Sequence, residues 1–145
     1  MNRKIFIKCQ QQALTSDHVG VLKLDDDRIL LTADACMAVV MPQEDCKLDV
    51  SKFTRLSNSV VKGANEASEL ELTRDCKYSD SIGIIRRLKL DSDKSVYVND
   101  KYIKFFGKGV NYKGINDKVF VFENDKLIGL IMAIYPKEDI KNVNT

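Results

Sequence analysis

Apolar residues in this chain come in short runs bounded by turn residues, and that pattern constrains the fold more than any other feature. Residues 19–24, 28–32, 36–41, 70–73, 81–90, 118–122 and 127–135 each read as a strand. Ile5, Ile7 and Cys9 keep a period of two and predict one more strand at the start. Asp25-Asp26-Asp27 reads as a hairpin turn, because a cation loop needs spaced oxygen ligands and a glycine that are missing here. Two stretches have helical spacing instead. Val50, Phe53, Leu56 and Val60 recur at three and four residues, with Gly63 where a cap would sit. Asn99 or Asp100 is placed to cap a second helix that carries Tyr102, Phe105 and Phe106 and ends at Gly107 and Gly109. The prediction is an α+β domain with a large, mostly antiparallel sheet and two main helices.

A chain of 145 residues has the size of one compact domain, and 44% hydrophobic with 30% charged residues is a globular composition. Residues 1–136 are expected to form that domain, and the polar, aperiodic stretch 137–145 a flexible C-terminal tail. No apolar run approaches the roughly 18 residues of a membrane span. In the first ten residues only Ile5-Phe6-Ile7 is apolar, too little for a signal-peptide core, so the expected location is cytoplasmic, away from membranes. Cys9, Cys36, Cys46 and Cys76 form no C-x-x-C pair and have one histidine, His18, for company. Reduced thiols are expected, with neither a metal nor another cofactor.

Catalysis needs a nucleophile with its base, paired carboxylates or a metal set, and none has a signature here. His18 stands alone beside Asp17. Gly107-Lys108-Gly109 lacks the spacing and the Ser or Thr of a phosphate loop, so it reads as a helix terminator. Lys113-Gly114 ahead of Val119-Phe120-Val121-Phe122 lacks the aromatic placement of an RNA-recognition strand. The expectation is therefore a protein that is not an enzyme, ahead of an enzyme assembled from Asp, Glu, Tyr and Lys residues without a signature.

Charge is informative only locally, since 23 Lys and Arg against 21 Asp and Glu leave +2. Lys52, Arg55 and Lys62 share one side of the first expected helix, and Lys101, Lys104 and Lys108 recur on the second. These six are the candidate nucleic-acid-binding residues, set against the plain alternative of a solvated helix face. The two helices also anchor an apparent repeat. At an offset of 49, residues 52–56 fall on 101–105 and residues 69–72 on 118–121. With three residues dropped from the turn, 82–85 fall on 128–131, which gives related β-α-β-β units at about 48–90 and 97–136. A weaker echo sets residues 37–45 against 132–139.

Several segments resemble the DNA sliding-clamp, or processivity-factor, family. Val19-Gly20-Val21-Leu22-Lys23-Leu24 with Arg28-Ile29-Leu30-Leu31-Thr32-Ala33-Asp34 resembles a clamp hairpin. Leu48-Asp49-Val50-Ser51-Lys52-Phe53 and Val96-Tyr97-Val98-Asn99-Asp100-Lys101-Tyr102 resemble its strand-to-helix junctions, and Gly129-Leu130-Ile131-Met132-Ala133-Ile134-Tyr135-Pro136 is similar to a closing strand. The resemblance covers most of residues 5–136 and consists of an order of elements, with no diagnostic motif. It implies two copies of a β-α-β-β-β unit, a short first helix within residues 10–17, helices facing duplex DNA, and a non-enzymatic part in replication or a related DNA transaction. Clamp subunits hold two or three domains and this chain has residues for one, which implies a homo-oligomer or a separate task. The competing expectation is a small viral or plasmid-type inhibitor or adaptor that occupies a host protein through a sheet edge or an apolar patch.

Overall fold

The computed structural model describes residues 3–17, 19–24, 27–90, 94–134 and 141–142. Its first element is a helix, α1 (Lys4–Thr15), where a strand was expected. Residues 5–9 satisfy both periods, but the following Gln-Gln-Gln-Ala-Leu has strong helix propensity, and Ile5, Phe6, Cys9 and Ala13 line one helical face. Those four are buried, whereas Ile7, which a strand would also bury, is 57% exposed. The short helix expected within residues 10–17 is the second half of α1. Strands β1 (Gly20–Lys23), β2 (Arg28–Asp34) and β3 (Met37–Pro42) follow as an antiparallel meander. Asp25 and Asp26 of the expected turn, like His18, lie outside the described residues, while Asp27 has a φ of 61°.

The helix expected over 50–62 is not formed. The chain makes a 3-10 turn at Val50–Lys52, a two-residue strand β4 (Thr54–Arg55) parallel to β1, and a second 3-10 turn at Asn58–Val61. Locally, Asp49 accepts hydrogen bonds from the Ser51 N–H and hydroxyl, and Ser57 accepts one from the Ser59 N–H; such side-chain turns compete with a helix. The larger reason is tertiary. Val50 and Phe53 pack against one face of the sheet, whereas Leu56, Val60 and Val61 pack against the other. The apolar stripe thus belongs to a strap that rounds the sheet edge, and a single helix face cannot serve both sides.

Next come β5 (Ser68–Ser79), β6 (Gly83–Lys89) and β7 (Ser95–Asn99), then helix α2 (Asp100–Phe106). As expected, Asn99 caps α2, accepting from the Lys101 N–H, and Gly107 ends it at a φ of 74°. A second antiparallel meander closes the fold: β8 (Asn111–Ile115), β9 (Lys118–Glu123) and β10 (Lys126–Met132). Its hairpin turn uses Asn124 and Asp125, both at positive φ. Lys141–Asn142 of the expected tail form β11 on β5; the rest of 137–145 lies outside the described residues.

Among the described residues eleven strands join in one mixed sheet, with a path of β4-β1-β2-β3-β10-β9-β8-β5-β6-β7 and β11 beside β5. The order itself contains a repeat. Helix α1 precedes the meander β1-β2-β3, helix α2 precedes β8-β9-β10, and the third strands pair antiparallel at the centre, Ala38 opposite Leu130. Equivalent strands begin 90 positions apart, at Arg28 and Lys118, so the offset of 49 does not describe the duplication. Residues 52–56 and 101–105, which that offset superimposed, lie in unlike elements.

Alternation along the meanders divides the core into two clusters. Ile29, Leu31, Val39, Val119, Val121 and Ile131 lie beneath both helices, while Leu30, Val40, Phe120 and Leu130 lie beneath the 56–67 strap. Cys9 sits fully buried in the first cluster, its thiol donating to the Leu31 carbonyl at 3.4 Å. Burial, helped by the nearby Cys46, pushes its pKa from 9.0 up to about 12. The folded protein therefore holds this proton more tightly than the unfolded chain, so the thiol's contribution to stability is fully present below about pH 9 and is lost as pH rises toward about 12. Urea unfolding at pH 8 and pH 10 should show wild-type protein losing about 1 kcal/mol more than Cys9→Ala between the two conditions. Equal losses would refute the buried thiol.

Candidate nucleic-acid interface

Two amphipathic helices cover one sheet face side by side. Tyr102, Ile103 and Phe106 anchor α2 in the same cluster that holds Ile5, Phe6, Cys9 and Ala13 of α1. Across the gap between them, the Tyr102 hydroxyl donates to Asp34 Oδ2 at 2.8 Å, and Asp34 Oδ1 accepts the Cys36 N–H at 2.8 Å. Burial and then the Asp34 carboxylate push the Tyr102 hydroxyl upward, so it stays protonated as the donor that fixes α2 to the end of β2. A cleft of about 340 Å³ lies above this bond, bordered by Gln12 and Thr15 of α1 and Lys101 and Phe105 of α2.

Outward from this anchor the helix layer is basic. Lys4 and Lys8, one turn apart, are exposed on α1, which contains no acidic residue. Lys101 and Lys104 are exposed on α2, and Lys108 in the turn that follows. The Lys101 ammonium rests 5.1 Å from the centre of the Tyr102 ring. The carboxylate within these helices is Asp100, 5% exposed and held by Arg86 Nη2 at 2.9 Å, with Lys104 Nζ at 3.4 Å. Its charge is spent inside the protein.

The six cations chosen from the sequence are not brought together. Lys101, Lys104 and Lys108 belong to the helix layer. Lys52 and Arg55 stand exposed at the β1/β4 edge, and Lys62 follows a strap packed on the opposite sheet face. Lys4 and Lys8 were missed because residues 5–9 were read with a strand period; the i, i+4 lysines flanking that run are the signal a helical reading would have used.

Among the described residues no group of three or more His, Cys, Asp or Glu is placed to hold a metal ion, and no helix is long and apolar enough to cross a membrane. All four cysteines carry free thiols. Compared with protein-family models, curated proteins and solved structures, the chain matches none.

Proposed function

We propose that the protein binds the phosphate backbone of duplex DNA through its helix layer, in a non-enzymatic role in replication or a related DNA transaction. The observation that carries this reading is the placement of Lys4, Lys8, Lys101 and Lys104 on two helices that share one sheet face and expose no carboxylate of their own. Helices fix the backbone spacing of these lysines, and their flexible side chains reach phosphates as point charges without base readout. The order of elements adds partial support: a helix followed by a three-stranded meander occurs twice, which is the α-β-β-β part of the unit the clamp resemblance implies, although among the described residues no strand precedes α1.

The test is a salt titration of duplex DNA binding. Each phosphate contact contributes about 0.9 to the slope of log affinity against log salt, so alanine at Lys4, Lys8, Lys101 and Lys104 together should flatten the line by roughly 3 to 4. Folding should be nearly unaffected, because exposed lysines contribute at most a few tenths of a kcal/mol each, about the scale of surface pairing. Alanine at Lys52, Arg55 and Lys62 should leave the slope unchanged. Wild-type protein that binds no duplex at low salt, or a helix variant whose slope equals that of wild type, overturns the proposal.

A further inference from the structure

A second surface on α1 points to a different partner. On the side of the helix away from α2, Ile7 and Leu14 stand 57% and 68% exposed, two turns apart on one stripe. Between them opens a groove of about 450 Å³ that reaches down to Phe6. Ile7, Gln10, Gln11 and Leu14, spaced i, i+3, i+4 and i+7, are the four corners of the hole into which a facing helix inserts a side chain in knobs-into-holes packing.

The groove is already built. Gln10 donates from Nε2 to the Asp45 carbonyl at 2.9 Å and accepts the Lys47 N–H on Oε1 at 2.8 Å, which fastens the 45–47 segment beside the helix as a fixed wall. Arg3 and Asp45 complete the rim with an ion pair at 3.4 Å. A preorganised apolar slot loses little conformational entropy when it is filled.

Charge decides the occupant. Arg3 and Asp45 cancel each other on the rim, which leaves the exposed Lys47 there and the exposed Lys8 on the adjoining face of α1 as the net charge. A second copy of α1 would bring lysine against lysine across the contact, which a helix flanked by carboxylates avoids. We infer that this groove docks an amphipathic helix of another protein, with leucine-type knobs on one stripe and glutamate or aspartate flanking it. This does not rest on DNA binding, since it uses a different side of α1.

The experiment uses the full chain and a fluorescein-labelled 18-residue helical peptide with leucine at the a and d heptad positions and glutamate at e and g. In fluorescence anisotropy this peptide should saturate, and its lysine-for-glutamate counterpart should bind at least about tenfold more weakly. Replacing the peptide leucines by alanine should abolish binding. Leu14→Ser and Ile7→Ser should each weaken binding about tenfold while the exposed positions leave the circular dichroism spectrum unchanged, and Lys101→Ala with Lys104→Ala should not alter it. Lys47→Glu should narrow the preference for the acidic peptide. Equal affinity for the acidic and basic peptides, no saturation below about millimolar, or indifference to Leu14→Ser overturns the inference. So does concentration-dependent self-association in sedimentation that Leu14→Ser removes, which would make a second copy the occupant.

Discussion

Alanine at Asp100 is expected to destabilise the fold by about 3–5 kcal/mol, because it strands the partner of a buried ion pair. Arg86 Nη2 lies 2.9 Å from Asp100 Oδ1, and both side chains are largely shielded, at 20% and 7% exposure. Arg86 Nη1 keeps the Thr73 carbonyl at 3.1 Å, but Nε is buried without a hydrogen-bond partner, so the guanidinium depends on the carboxylate for charge compensation. Asp100 also begins α2, where a negative charge favours the helix N-terminus. Urea unfolding should therefore place Asp100→Ala well below Asp100→Asn, which keeps the shape and one acceptor oxygen. The double variant Arg86→Met with Asp100→Leu should recover much of the loss, since no charge is then left buried. A double variant no more stable than Asp100→Ala would show that the pair acts through geometry and not through charge.

The second large effect is expected at Gly129, where β10 meets α2. A Cβ added there would overlap the Phe106 ring and come within 3.2 Å of the Ala38 carbonyl. Phe106 is 5% exposed and belongs to the core cluster beneath the helices, so displacing its ring disturbs the packing that anchors α2. Gly129→Val should cost about 3 kcal/mol by overpacking and lift α2 from the sheet. Phe106→Leu alone should also destabilise, through the cavity it leaves, yet combined with Gly129→Ala it should be more stable than the sum of the single changes, because the new methyl occupies vacated space. Strict additivity in denaturant unfolding would contradict the contact. Both experiments probe the placement of α2, on which the spacing of the helix-layer lysines depends.

Much of this architecture was legible in the residues. Strong strands announced themselves as short apolar runs between turn residues: β2, β3, β9 and β10 all fall within the expected runs or extend them by a few residues. Helix α2 was legible because its cap and stop are local, an Asn99 side chain at one end and a glycine at the other. The β8 strand was not, since Asn-Tyr-Lys-Gly-Ile has neither alternation nor strand propensity; it forms because β9 and β5 offer backbone partners on both sides and Gly114 leaves room for Leu70.

By itself the sequence determined that the chain makes an α+β fold with a large sheet, and it placed the α2 lysines on a helix, because short apolar runs, turn residues and helix caps act through neighbours within a few residues. It also carried apolar spacing at 50–60 and 5–9 that two kinds of element could satisfy equally well. Only the tertiary structure decided those cases. Residues 50–61 are divided between opposite faces of the sheet, which a helix would forbid, while α1 turns Ile5, Phe6, Cys9 and Ala13 inward together and leaves Lys4 and Lys8 outside. Burial of apolar area on two sides of one sheet is a long-range term, and it outweighs the few tenths of a kcal/mol per residue by which local propensity distinguishes helix from turn.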